Sequence, residues 1–388
     1  MGWRKYWNCS GLFYFKLGVE MSGVKETIWE AQPHTIAKHE ILRRYLNAWF
    51  PIMGRHHGRI IYIDGFAGPG IYENGEPGSP IIALQCALGH RNPLWKEIIF
   101  RFIEQRQDRC DKLESLIGGL EGARAFDHRV VPGVFAEAMT PLLDDLQIRG
   151  FYQVPTFAFI DPFGWVDVPF SIVARILEYP KSEVLITFML DELKRFVGEK
   201  VLWNNLTVYF GNENWKPAIM LSGADREKHL IETYVENLKT LASAKYVRTF
   251  RMINMRHQTD YYLVYATKHI KGLDKMKESM WKVGTVGDFQ FADATAYSRQ
   301  IEFSQPDFAA GVEQIFGEFR GRKVPIEMIE RLVIEKTAFY SGNFRTPILG
   351  ELMEDARACL ITGVEGRKRQ KSGEYPKGSL ITFADKME

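Results

Sequence analysis

Asp64-Gly65-Phe66-Ala67-Gly68-Pro69-Gly70 directly follows a β-branched run, Arg59-Ile60-Ile61-Tyr62-Ile63. The run reads as a buried parallel strand ending at Asp64. Glycines 65, 68 and 70 lack a Cβ, so the backbone can turn sharply there and approach a ligand closely. Their G-x-x-G-x-G spacing differs from the G-x-G-x-x-G of dinucleotide-binding loops, and a proline stands inside it. A helix that follows such a loop points its N-terminus at the ligand and favours an anion. The same residues also suit an ordinary βα turn.

Moving outward, strands and helices alternate. Residues 33–50 have helical spacing up to Pro51, the stretch 65–80 is a loop, and 81–88 begins a helix. Further strands are expected at 98–104, 129–131, 156–161 and 183–188, with helices at 109–116, 135–146, 169–178 and 230–241. Arg248 to Met255 and Tyr261 to Thr267 flank a polar turn, which suits an antiparallel hairpin at the end of the sheet. The alternation implies βαβ crossovers and a mostly parallel sheet. Ligands of such sheets bind beyond the carboxyl ends of the strands, where Asp64, Glu104 and Asp161 all fall.

Each of these acids has a chemical reading. Glu104 can accept two hydrogen bonds from ribose hydroxyls, although a surface acid at a strand end has the same appearance. Asp161-Pro162-Phe163-Gly164-Trp165 is an acid followed by a proline and aromatics. The Asp161 carboxylate and the carbonyl after it can accept hydrogen bonds from an exocyclic amine, while Phe163 or Trp165 stacks on its base. The amine lone pair must face the methyl it attacks, so positioning matters more than strong general-base chemistry. Upstream, Gln32-Pro33-His34-Thr35 with Lys38 places His34, Thr35 and Lys38 on the first two turns of a helix, where they can close over a cofactor carboxylate. His56-His57 lacks matching ligands, so no metal site is expected.

After roughly residue 300 the pattern changes to three short helices, 308–319, 326–334 and 346–360, and then two strands around Leu360 to Val364 and Ser379 to Phe383. That is the order of a winged helix. Between the strands lie Arg367, Lys368, Arg369 and Lys371, whose charge at a hairpin tip can neutralise phosphates without reading sequence.

Composition sets wider bounds. The 388 residues, 46% hydrophobic and 25% charged with net charge +2, describe a globular chain whose basic footprint must be local. Cys9, Cys86, Cys110 and Cys359 are far apart, so reduced thiols and a cytoplasmic location are expected. No apolar run reaches the roughly 18–20 residues that span a bilayer. Residues 1–20 place Arg4 and Lys5 before an apolar stretch that Lys16 interrupts, and read as an N-terminal extension with Met21 a second start.

With these residues on the page, the chain resembles the three-Cys-motif partner protein (TcmP) family. The resemblance spans about residues 21–385 and rests on Gln32 to Thr35 with Lys38, Tyr62 to Gly70, Gly75-Glu76-Pro77-Gly78-Ser79-Pro80, Phe159 to Gly164 and the C-terminal segment. It implies a Rossmann-like class I methyltransferase fold, mostly parallel with an antiparallel last strand, over residues 21–300, and a small winged-helix domain over 301–388. It further implies S-adenosylmethionine as cofactor and a partner protein that carries the three cysteines. Residues 161–164 also resemble the D-P-F-G segment of tRNA guanine-N2 methyltransferases, with Phe163 and Gly164 departing from the D-P-P-Y pattern. In the first functional reading, an amine of a nucleic-acid base is methylated. Gly65, Gly68 and Gly70 cradle the methionine end of the cofactor, with Asp64, Ser79, His34, Thr35 and Lys38 nearby. Glu104 holds the ribose, and Asp161, Pro162 and Phe163 position the acceptor. The second reading is a non-catalytic nucleic-acid-binding or adaptor protein on the same fold.

Overall fold

The computed structural model describes residues 26–90, 97–284, 290–292, 308–354, 359–366 and 374–386. The first helix, α1 (Pro33–His56), leads into β1 (Arg59–Asp64). Then follow α2 (Ser79–Gly89), β2 (Glu97–Glu104), α3 (Gln107–Gly119), β3 (Asp127–Pro132), α4 (Phe135–Ile148) and β4 (Thr156–Ile160). The alternation continues through α5 (Phe170–Glu178), β5 (Ser182–Phe188), α6 (Leu190–Phe196), α7 (Trp203–Phe210), α8 (Gly223–Thr240), β6 (Tyr246–Ile253), β7 (Thr259–Thr267) and α9 (Ile270–Val283). With β8 (Gln290–Ala292), the described strands form one sheet in the order β3-β2-β1-β4-β5-β7-β6-β8.

Strands β1 to β5 pair in parallel, and β7 runs antiparallel to both β5 and β6. This is the mostly parallel, Rossmann-like sheet of a class I methyltransferase fold. The expected antiparallel hairpin forms from β6 and β7, with β7 beside β5, and the unanticipated β8 pairs parallel to β6 beyond it.

Alternation along each strand builds two cores. Ile61, Ile63, Ala158, Ile160, Val184 and Ile186 face α4 to α8, while Ile60, Tyr62, Phe157, Phe159 and Leu185 face α1, α2, α3 and α9. Contrary to expectation, α1 passes through Pro51 and ends at His56. The Asn47 carbonyl, whose helical donor Pro51 cannot supply, takes a hydrogen bond from His90.

The C-terminal part has its own core. It holds α10 (Phe308–Phe319), β9 (Lys323–Pro325), α11 (Ile326–Lys336), a π-helix (Arg345–Met353), β10 (Ile361–Glu365) and β11 (Leu380–Phe383). Its antiparallel sheet has the order β10-β11-β9, so β9 adds a strand to the expected two. The third helix is shorter than expected and π-type, and residues 355–358 lie outside the described residues. This part packs on α9, where the buried Lys277 Nζ donates to the carbonyls of Val333, Ile334 and Thr337 at 3.0–3.1 Å. Burial, helped by the nearby Arg248 charge, lowers the Lys277 pKa to about 6, so hydrogen bonds rather than charge hold the amine here. Asp274 of α9 accepts the Ser341 backbone N–H at 2.7 Å and its hydroxyl at 2.6 Å. Among the described residues no helix is long and apolar enough to cross a membrane.

Candidate functional site

The glycine loop leaves β1 with Asp64 fully buried. Its carboxylate accepts the Phe66 backbone N–H at 3.2 Å and a hydrogen bond from Ser79. Burial lifts its pKa to about 7 against the pull of those bonds. Gly68 and Gly70 have φ of +63° and +81°, a left-handed backbone that suits glycine. The 75–80 motif folds back onto this loop. Ile71 bridges Pro77, and the Gly78 N–H donates to the Gly70 carbonyl at 2.8 Å. A Cβ on Gly78 would lie 3.0 Å from the Gly70 carbonyl carbon, so the close approach of two backbones explains that glycine. The fold-back sets the N-terminus of α2, with Ser79, beside Asp64.

Glu104 ends β2 and is also buried. One oxygen accepts the Gly68 N–H at 3.0 Å and the other the Arg106 N–H at 2.8 Å. It lines a cavity of about 200 Å³ with Gly65, Val134, Phe135, Gly164 and Asp167. A second cavity of about 250 Å³ is lined by His34, Thr35, Lys38, Gly68, Ser79 and Asp161, among others. Phe66 and Phe163 line both, so the two cavities adjoin.

At the floor of the larger cavity Lys38 Nζ stands 2.7 and 2.6 Å from the two oxygens of Asp161. Thr187, near the end of β5, donates to the same carboxylate at 2.6 Å. Burial alone would raise the Asp161 pKa. The Lys38 charge and the hydrogen bonds from Lys38 and Thr187 outweigh it, and the carboxyl sits below its usual range. Next to Lys38, burial and that neighbouring charge push His39 down to about 3, so its ring is neutral. His34 meets the ring of Tyr261 edge-on at 5.8 Å, and the Tyr261 hydroxyl donates to the His34 carbonyl at 3.2 Å.

An aromatic wall closes one side. Trp29 makes edge contacts with Tyr72 and Phe163, each at 5.5 Å, and the Arg109 guanidinium lies 4.6 Å from its ring centre. Glu26 accepts a hydrogen bond from Arg109 through its carbonyl at 2.8 Å, which ties this N-terminal segment to α3.

The structure thus gathers His34, Thr35, Lys38, Asp64, Gly65, Gly68, Gly70, Ser79, Glu104, Asp161, Pro162 and Phe163 around two adjoining cavities. Lys38 is engaged with Asp161. Trp165 is corrected as a stacking platform, because it is fully buried in the core against Tyr209. Arg367, Lys368, Arg369 and Lys371 lie outside the described residues. Sequence reading missed Trp29, Thr187, Tyr261, Val134, Phe135 and Asp167. Trp29 was within reach, being four residues before Pro33, and Thr187 stands at a strand end like the acids.

No family model and no curated protein matches the chain. Among solved structures it is similar to the O-methyltransferase TomG from Streptomyces achromogenes in complex with SAM, at 14% identity over 58% of this chain and 79% of that one, with TM-score 0.34. It is also similar to Trm1 from Pyrococcus horikoshii with S-adenosyl-L-methionine, at 13% identity over 66% and 62% of the two chains, TM-score 0.35. The METTL16 methyltransferase domain matches at 13% identity over 57% and 66%, TM-score 0.31.

Proposed function

We propose that the chain is an S-adenosylmethionine-dependent methyltransferase acting on an amine of a nucleic-acid base. The observation that carries this reading is the ionised Asp161 at a strand end, opening onto the cavity that adjoins the Glu104 cavity.

The residues present suit the cofactor. Each Glu104 oxygen already accepts one backbone N–H, and each retains a lone pair for a ribose hydroxyl. Asp167, half-buried in the same cavity, is placed to accept from an adenine amine. The glycine loop and the N-terminus of α2 suit a methionyl carboxylate. When bound, the cofactor supplies an electrophilic methyl on a sulfonium. Asp161, Pro162 and Phe163 would hold the acceptor nitrogen facing that methyl, while Glu104 and the glycine loop would hold the cofactor. Asp161, with its lowered pKa, accepts a hydrogen bond from the amine and orients its lone pair rather than acting as a strong base.

The C-terminal part, with β9 between its first two helices and a hairpin after the third, supports a winged-helix domain over residues 301–388 that docks the substrate. From the resemblance of the 32–38, 62–70 and 75–80 segments, we further propose that the chain belongs to the TcmP family and pairs with a three-cysteine-motif partner. A second reading, a non-catalytic nucleic-acid-binding adaptor, draws on one feature: Lys38 already engages both Asp161 oxygens.

Calorimetry with S-adenosylmethionine and labelled-methyl transfer to pooled RNA and DNA separate the two. Absence of binding at millimolar cofactor defeats the enzyme reading. Binding without transfer to any nucleic acid favours the adaptor. Charge reversal at Arg367 and Lys368 should weaken nucleic-acid binding and flatten its salt dependence.

A further inference from the structure

We propose that Trp29, carried by the chain segment ahead of α1, is the stacking platform of the acceptor site and selects a flat aromatic base. This deepens the methyltransferase reading and rests on it.

The segment is tied down on two sides. The Trp29 carbonyl accepts the Glu73 N–H at 2.9 Å, just after Tyr72 of the Asp161 cavity wall. At the start of α3, Thr27 donates to Asp108, and Arg109 donates to the Glu26 carbonyl at 2.8 Å. Trp29 stands between these anchors. Tyr72 meets its ring edge-on at 5.5 Å and itself rests against His39 of α1 at 5.7 Å. A Cβ on Gly68 would lie 3.7 Å from Trp29 Cη2, so the indole reaches the glycine loop.

Which surface the ring offers follows from its neighbours. The Arg109 guanidinium lies over the indole, 4.6 Å from its centre. Arg109 lines the Glu104 cavity and Trp29 the Asp161 cavity, so the cation backs the ring from the side away from Asp161. Phe163 meets Trp29 at 5.5 Å and 68°, so the two rings form a corner rather than a parallel pair. One flat base fits such a corner, its face on the indole and its edge toward Phe163. Its amine then points to Asp161 and Pro162, which line the same cavity. Every base has a π-face, so stacking on Trp29 selects a base as such and leaves the choice among bases to Asp161 and Pro162.

The test separates base stacking from cofactor binding. 2-Aminopurine riboside is a fluorescent nucleoside that bears an exocyclic amine and dims when it stacks. It is titrated into the full chain saturated with S-adenosylhomocysteine, so that the cofactor site is already filled. Calorimetry gives the affinity of each protein for S-adenosylhomocysteine alone. Wild type should quench the nucleoside saturably. Trp29→Leu should weaken its affinity by roughly five- to 150-fold, the range that loss of one base–aromatic stack brings. Trp29→Phe keeps a flat face and should stay within a few fold of wild type, and both variants should hold S-adenosylhomocysteine about as well as wild type. Unchanged nucleoside affinity in Trp29→Leu overturns the proposal, as does an equal loss in Trp29→Phe, because a flat face is then not what counts. A parallel loss of nucleoside and S-adenosylhomocysteine in Trp29→Leu assigns Trp29 to the cofactor and also overturns it. Absence of quenching by a wild type that binds S-adenosylhomocysteine overturns the stack and leaves the cofactor reading standing. Should wild type fail to bind S-adenosylhomocysteine, the cofactor reading falls and this proposal with it.

Discussion

Two carboxylates at neighbouring strands, Asp161 half-buried and Glu183 buried, have opposite fates. Asp161 follows β4, and Glu183 lies near the start of β5, and helix α1 reaches both. Lys38 meets Asp161, and Tyr45, seven residues and about 10 Å further along the helix, donates to Glu183. Glu183 also accepts from Thr267 at 3.2 Å, and the Tyr45 and Tyr265 hydroxyls are 2.7 Å apart. Burial raises the Glu183 pKa against these hydrogen bonds, whereas Lys38 and Thr187 outweigh burial and lower that of Asp161. Gly272 closes over the Glu183 cluster, since a Cβ there would lie 2.5 Å from a Glu183 oxygen. Asp161 instead lines a cavity. Burial of an acid does not mark a site. A compensating cation together with an opening does.

The sharpest way to break this contrast is Asp161→Ala. Methyl transfer should fall by about 10²–10³, the scale of losing one preorganised polar group at a reacting centre. Cofactor affinity by calorimetry should stay within a few fold. Equal loss of binding and turnover would mean that Asp161 belongs to the cofactor rather than the acceptor. At the other end of α1, Tyr45→Phe should leave turnover intact and lower stability by about 1–3 kcal/mol in denaturant unfolding, because Glu183 loses a buried donor. A turnover defect there would show that the two ends of the helix are coupled.

The acids at the carboxyl ends were legible because strand ends are punctuated: Ile63-Asp64-Gly65, Ile103-Glu104 and Ile160-Asp161-Pro162 each close an apolar run with a charge. Glu183 escaped notice as a buried acid because it opens its strand, and its partners Tyr45, Tyr265 and Thr267 are up to 138 residues away. The Lys38–Asp161 pair spans 123 residues, beyond any local pattern. The position of β7 was hidden for a related reason: a hairpin fixes which strands pair with each other and not which of them meets β5. Helix α9 was missed although its apolar positions recur, because Lys277 interrupts them and is buried only through carbonyls of the C-terminal part.

Asp64 offers a third case, a buried acid with no cation, titrating at about 7. Its ordinary value is 3.8, so the folded chain holds a proton that the unfolded chain releases. Its contribution to stability is present below that ordinary value and is lost as pH rises through about 7. A cationic ligand in the adjoining cavity favours the ionised form and expels this proton. Affinity for S-adenosylmethionine should therefore rise between pH 6 and about 7, by at most about tenfold per unit, and Asp64→Asn should flatten that rise. A slope unchanged by Asp64→Asn would assign the titration elsewhere.

Thr187→Val is the smallest perturbation and isolates one hydrogen bond from the charge pair. The swap removes the hydroxyl that reaches Asp161 at 2.6 Å and leaves Lys38 in place. A single hydrogen bond to a charged group is worth about 1.5–3 kcal/mol at most, and less where the acceptor keeps other donors. Oδ1 retains Lys38, so the carboxylate stays ionised but gains freedom to rotate about its remaining partner. Turnover should drop by roughly three- to tenfold with KM for the acceptor nearly unchanged, because orientation and not charge has been relaxed. The pH profile should keep its acid limb, since Lys38 still holds the Asp161 pKa down. If that limb moves instead, Thr187 and not Lys38 sets the ionisation of Asp161, and the contrast with Glu183 would rest on hydrogen bonding alone.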